Sequence, residues 1–156
     1  QAFINQQQCQ HFLVIAGVHN QQMAAALALA TELGIGPQVL APGHVPDETL
    51  VALYANADAL LVPSESEGFG LPILEAMACG CPTLSSNMAS LPEIGGKAAH
   101  FFDPTEISDM AEAIRKVCED SAYRQKLAKG GPKHAKKFNW DSSFKKHIDL
   151  FETVLN

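Results

Sequence analysis

Ala59-Leu60-Leu61-Val62-Pro63-Ser64-Glu65-Ser66-Glu67-Gly68-Phe69-Gly70-Leu71-Pro72-Ile73-Leu74-Glu75-Ala76-Met77-Ala78-Cys79 reads as strand, loop and helix in one run. Ala59–Val62 is wholly apolar and short, as a parallel strand covered on both faces must be, and Pro63 closes it. Leu71–Cys79 is helical, with Pro72 in the first turn, where a missing N–H leaves no bond unmade. A strand feeding a helix through a glycine-bearing loop is the repeating unit of an α/β fold.

The same alternation runs outward in both directions. Upstream, Phe12–Ala16 predicts a core strand ended by Gly17, Gln21–Leu33 a helix with Met23, Leu27 and Ala30 inward, and Gln38–Ala41 a second strand. After the loop Pro42–Pro46, Asp47 is expected to cap a helix to about Ala55, with Leu50, Leu53 and Tyr54 inward. Downstream, Thr83–Ser85 predicts a fourth strand, Leu91–Ile94 a helical turn and Ala98–Phe102 a fifth strand. Ser108 or Asp109 starts a helix to Glu119, Ser121–Lys137 forms another, and Asp141 caps a last one striped by Phe144, Ile148, Phe151 and Leu155. The expectation is a Rossmann-like parallel sheet of about five strands with helices on both faces.

Composition limits the function. Hydrophobic residues make up 47% and charged residues 18% of the 156, which suits a globular chain with a sizeable core. No apolar run is long enough to span a membrane, and the N-terminus lacks the basic start of a signal peptide. Cys9, Cys79, Cys81 and Cys118 lack metal-ligand spacing and read as small thiols in a reducing cytoplasm. The net charge of −6 hides an asymmetry: residues 1–96 carry eight acids and no Lys or Arg, while the remainder holds 11 bases against nine acids. The basic residues between Arg124 and Lys146 fit a solvated helical face better than a nucleic-acid stripe.

Chemistry concentrates in the loop Ser64–Gly70, because ligands of open α/β sheets sit outside the carboxyl ends of the strands. Gly68 and Gly70 allow close backbone approach. The N–H groups of Gly70, Leu71 and the first helical turn form an anion site suited to a diphosphate. Glu67 in the loop and Glu75 one turn into the helix would repel a phosphate ligand unless each accepts hydrogen bonds from hydroxyls, which ribose and hexose supply. A diphosphate normally also meets Lys or Arg. Their absence before Lys97 means either that the ligand is not anionic, or that the cations lie upstream of Gln1 or in another domain. Gln1 is an unnatural start, and the chain reads as a fragment.

Pro63-Ser64, Glu67-Gly68-Phe69-Gly70-Leu71-Pro72 and Leu74-Glu75-Ala76-Met77-Ala78-Cys79-Gly80-Cys81-Pro82 closely resemble the signature of glycosyltransferase family 4. The words Leu53–Asp58, Leu91-Pro92-Glu93, Asp103-Pro104 and Phe138-Asn139-Trp140 extend the likeness over nearly the whole chain. The resemblance implies the C-terminal, donor-binding half of a two-Rossmann (GT-B) retaining glycosyltransferase. It implies residues 1–156 as a single nucleotide-sugar-binding domain, with C-terminal helices over about 121–156, lacking its N-terminal acceptor domain and its own first part. Glu75 resembles the glutamate that binds the donor ribose, and Glu67, carried as the catalytic candidate, the one that contacts the donor sugar's hydroxyls. Phe69, Gly70 and Leu71, with Gly68 beside them, match positions whose backbone approaches sugar and diphosphate. His44 and Val45 match the loop near the nucleobase, and Gly17 the glycine beside the nucleotide.

The donor is expected to be a UDP-, GDP- or ADP-sugar, without a cofactor or metal, since no Asp-x-Asp cluster is present. Expected partners are this donor, the protein's own N-terminal domain and a glycan, lipid or small-molecule acceptor, but not nucleic acid. The location is cytoplasmic, with the full-length protein open to peripheral contact at the inner membrane face. The isolated piece is expected to bind donor weakly and transfer nothing. Two rivals stand beside this reading. One is a non-catalytic nucleotide-sugar-binding regulatory module. The other is a dinucleotide-binding domain, which needs G-x-G-x-x-G where Gly17-Val18-His19-Asn20-Gln21-Gln22 stands. His19, His11, His100, His134 and His147 read as structural or exposed, Glu93 as a loop carboxylate and Trp140 as an aromatic anchor for the last helix.

Overall fold

The computed structural model describes residues 11–18 and 20–155, so His19 and Cys9 lie outside the described residues. Their chain forms β1 (Leu13–Ala16), α1 (Gln21–Glu32), β2 (Val39–Gly43), α2 (Asp47–Asn56), β3 (Leu60–Val62), α3 (Leu71–Ala78), β4 (Thr83–Ser86), α4 (Leu91–Gly95), β5 (Ala99–Phe102), α5 (Ile107–Glu119), α6 (Ser121–Ala135) and α7 (Trp140–Leu155). Every strand pair is parallel, and helices flank the sheets, as the alternation of elements required.

The five strands form two ladders, β1-β2 and β3-β4-β5. In the second, Leu61 pairs with Leu84 and Leu84 with His100, while Ser85 pairs with Phe101 and Ser86 with Phe102. Side chains alternate across a strand, so this register sorts the core into two faces. Leu61, Leu84 and Phe102 pack with Ala113, Ile114 and Val117 of α5 and Leu127 of α6. Leu60, Val62 and Ala99 pack on the other side with Ile73 and Met77 of α3 and Leu91 and Ile94 of α4. The central strand β4 is buried along its length although it reads Thr-Leu-Ser-Ser. Its small hydroxyl side chains bond locally: Thr83 Oγ1 donates to Cys81 O (3.3 Å), Ser85 Oγ donates to Ser86 O (3.1 Å), and Ser86 Oγ accepts from Met88 N (3.0 Å). α6 lies against α3, where a β-carbon on Gly131 would come within 3.1 Å of Met77 O.

Four expectations need correction. Phe12–Ala16 is not a core strand: Phe12 is 60% exposed, Val14 and Leu40 are exposed, and only one face of the β1-β2 ladder is covered among the described residues. A run that is apolar on both faces predicts burial on both, and the second cover is not supplied by these residues. Asp47 does not cap α2; Pro46 holds that position, and Asp47 sits in the first turn, where its charge still suits the helix dipole. Trp140 is 81% exposed and anchors nothing among the described residues, while the side chain of Asn139, not Asp141, accepts the early N–H of Ser142 at 2.8 Å. The apolar stripe of α7 is uncovered: Phe144, Ile148, Phe151 and Leu155 all face solvent among the described residues. No helix among these residues is long and apolar enough to cross a membrane.

Candidate functional site

The loop after β3 is held from two sides. Inside it, Ser64 Oγ donates to Glu67 Oε1 at 2.9 Å, which fixes a half-buried carboxylate. From α4, the Ser90 hydroxyl faces both Glu67 O (3.0 Å) and Phe69 O (3.2 Å), so one donor serves two loop carbonyls. Ser90→Ala is expected to cost about 1 kcal/mol in a urea unfolding midpoint and to raise protease cleavage within residues 64–70.

Gly70 joins this loop to α3. It is buried, with φ 97° and ψ 42°. A β-carbon there would lie 2.7 Å from Leu91 Cδ2, and Leu91 is fully buried. Only glycine meets both demands. The chain then turns at once into α3, with Pro72 near its start and Ile73 N–H bonded to Gly70 O at 3.0 Å. The first turn therefore offers fewer backbone donors than the sequence suggested, because Pro72 has none and that of Ile73 is taken. Phe69 is 45% exposed. Its ring meets Phe138 edge-on at 6.3 Å, and Phe138 lies 5.5 Å from the His134 ring. The His134 Nε2 lies 2.7 Å from Ile94 O; a carbonyl only accepts, so Nε2 carries the proton. The end of α6, through His134, braces α4, and Phe138 just beyond it braces the loop.

Glu75 is exposed on α3, and one of its oxygens is engaged: the Tyr54 hydroxyl of α2 donates to Oε2 at 3.3 Å. Burial, followed by the Glu75 charge, pushes the Tyr54 phenol up to about 12. The remaining sequence candidates sit at the end of the other ladder. Gly17 N–H donates to Gly43 O at 2.9 Å and ties the ends of β1 and β2 together. His44 is exposed and Val45 half-buried directly beyond. A shallow cavity of about 330 Å³ opens beside Gly17, between Ile15, Val18 and the start of α1 at Asn20 and Met23. Gly17, with φ 146°, has open space where a side chain would go.

The structure therefore gathers Glu67, Gly68, Phe69, Gly70 and Leu71 in one braced loop, ties Glu75 to α2, and places Gly17, His44 and Val45 at the carboxyl end of β1-β2. Glu93 is exposed in the first turn of α4. The supports Tyr54, Ser90, His134 and Phe138 were missed as such, because contacts between residues that far apart leave no spacing signal. A larger concavity, about 520 Å³, lies over Glu112, Arg115, Lys116 and Glu119. Arg115 is already paired there with Glu112 and Glu119 at 2.6 Å, and no candidate residue lines it. The remaining histidines fit the plainer reading: His11 pairs with Asp58 at 3.3 Å, His147 bonds Ser143 O at 2.7 Å, and His100 bonds the Tyr123 hydroxyl at 2.7 Å, its burial holding it below the usual imidazole range.

The family model described as "Glycosyl transferases group 1" matches residues 2–134. The chain belongs to the group 1 glycosyltransferases. Among curated group 1 relatives, it is 41% identical over 112 residues to the O-antigen chain mannosyltransferase B of Escherichia coli, covering 72% of this chain and 29% of that protein. It is 37% identical over 141 residues to the D-inositol 3-phosphate glycosyltransferase of Corynebacterium jeikeium, covering 89% and 34%. The chain thus spans about a third of the length of these relatives. Its fold matches the solved sucrose-phosphate synthase of Thermosynechococcus elongatus with a TM-score of 0.86 and 26% identity, over 99% of this chain and 41% of that one. It also matches the Anabaena protein HepE, solved with UDP and glucose, with a TM-score of 0.80 and 22% identity, over 91% and 40%. These neighbours establish the fold as one half of a GT-B glycosyltransferase.

Proposed function

We propose that this chain is the donor-binding part of a retaining glycosyltransferase that takes a nucleoside diphosphate sugar. The supporting observation is the braced loop: a fixed Glu67, a glycine that admits no side chain, and a turn directly into the helix that carries Glu75. Glu75 accepts from the ribose hydroxyls. Glu67 accepts from the sugar hydroxyls, and the amides of Gly70 and Leu71 approach the diphosphate, with Gly68 and Phe69 shaping the loop around it. His44 and Val45 border the nucleobase, and Gly17 lies beside the nucleotide. HepE, which shares the fold, was solved with UDP and glucose, and this is the ligand class the loop suits.

The anomeric bond to the diphosphate breaks, the diphosphate leaves with the electron pair, and the acceptor oxygen bonds the anomeric carbon on the same face while its hydroxyl proton passes to the departing diphosphate oxygen. Residues 1–96 hold no Lys or Arg to steady that leaving charge, so the cations and the acceptor site belong to other parts of the full-length protein. The reaction belongs in the cytoplasm, with any membrane contact made outside this chain.

The test is titration of the full-length protein with UDP-, GDP- and ADP-sugars, a mannosyl donor first because a 41% identical relative is a mannosyltransferase. Binding of one class, with donor affinity weakened and kcat/KM lowered in Glu75→Ala, is the expected result. No binding to any donor, or full activity in Glu75→Ala, overturns the reading. Donor binding without turnover across a broad acceptor screen would favour the regulatory module instead.

A further inference from the structure

Tyr54 and Glu75 belong to different helices, 21 residues apart, and meet through one hydrogen bond. The tyrosine ring is half-buried, whereas the carboxylate is exposed. An exposed glutamate turns freely about its side-chain bonds, and a freely turning carboxylate meets a vicinal diol in only a fraction of its orientations. A partner anchored in another helix removes that freedom before the ligand arrives. Each carboxylate oxygen has two acceptor positions, so one bond to Oε2 leaves room for two hydroxyls. With its phenol pushed up to about 12, Tyr54 remains a donor at every working pH.

We propose that Tyr54 is a positioning residue for donor binding: its hydroxyl holds Glu75 through Oε2 so that the carboxylate meets the two ribose hydroxyls in one fixed orientation. This rests on the reading of Glu75 as the ribose-binding group. It extends the site to α2, which links the β1-β2 ladder to β3 in the chain. The hydroxyl acts through Glu75 and touches no reacting atom.

Tyr54→Phe removes one hydroxyl and keeps the ring. In the full-length protein, the affinity of UDP, GDP and ADP is measured beside that of the same nucleotides with 2′,3′-dideoxyribose. For the nucleotide that binds, Tyr54→Phe is expected to weaken the ribose form about three- to tenfold, the worth of one oriented hydrogen bond. The dideoxy form, which has no diol to orient, should bind variant and parent alike. In a Glu75→Ala background the tyrosine change should have no further effect. KM for the donor should rise while kcat holds. Equal weakening of both nucleotide forms would show that the tyrosine merely supports the fold and overturns the proposal. An unchanged ribonucleotide affinity in Tyr54→Phe, with Glu75→Ala still impaired, overturns this proposal alone. If Glu75→Ala binds the ribonucleotide as well as the parent does, the ribose role of Glu75 falls, and the proposal with it.

Discussion

Gly70→Ala in the full-length protein is expected to lose about 2 to 5 kcal/mol of stability and nearly all donor binding. Two independent costs add. At φ 97° an L-residue is strained by about 1–2 kcal/mol, because its β-carbon crowds the neighbouring carbonyl. That β-carbon would also lie 2.7 Å from Leu91 Cδ2, well inside van der Waals contact. Leu91 has no exposure at all and packs with Val62, Ile73, Met77 and Ile94, so it has nowhere to retreat. Overpacking of this kind costs about 1–3 kcal/mol. The relief available is movement of the loop itself, which would pull the Phe69 and Glu67 carbonyls off the Ser90 hydroxyl. A urea midpoint measures the first effect and donor titration the second. A variant with parental stability and donor affinity would mean that the loop does not depend on this contact. Gly68→Ala is the control: nothing lies within 4 Å of the β-carbon it would add, so it should be close to neutral in stability.

That contrast shows what was readable in the chain. Gly70 and Gly68 look alike in sequence, and both were taken as loop glycines. Only the folded chain, through the left-handed φ of Gly70 and its neighbour Leu91, separates the indispensable one from the permissive one. Local features were readable for local reasons. The stop at Pro63, the helix start at Pro72 and the apolar spacing of α5 each act within one turn, and the structure places β3, α3 and α5 within two residues of the expected bounds. The parallel sheet followed from the alternation of elements. Its division into two ladders did not follow, because a strand's pattern names its faces but not its neighbours. The same limit explains Phe12–Ala16, whose apolar run is correct for a covered strand while the cover is absent from the described residues.

The site was partly legible in the same sense. Glu67 and Glu75 were singled out because two carboxylates beside a helix start conflict with an anion unless hydroxyls mediate. The parts that orient them were not found. Ser90 lies 23 residues from Glu67, and Tyr54 lies 21 from Glu75, at separations set by topology rather than by helix or strand period. The count of amide donors was also overestimated, since the bond from Ile73 N–H back to Gly70 O depends on how tightly the first turn closes.

Glu67→Ala should show the largest kinetic effect, a fall in kcat of about 10²- to 10³-fold with donor affinity changed far less. As the anomeric bond breaks, the sugar ring gains positive charge. A carboxylate that accepts a hydrogen bond from a sugar hydroxyl interacts more strongly with that ring than with the neutral ground state. Bonds to a charged group contribute about 1.5–3 kcal/mol each, and one or two of them give the stated range. The effect requires a carboxylate already in place, and the Ser64 bond at 2.9 Å supplies that order. Glu67→Gln, which keeps an acceptor oxygen without the charge, should fall between parent and alanine. Ser64→Ala, which leaves the charge but frees it to turn, should lose less than either. Glu75→Ala provides the opposite pattern, a raised KM from lost ribose binding, because the ribose carries no new charge in the transition state. Steady-state kcat and KM for donor, with an independent donor Kd, separate the two patterns. If Glu67→Ala raises only KM, the carboxylate is a ground-state contact and the catalytic role passes to other groups.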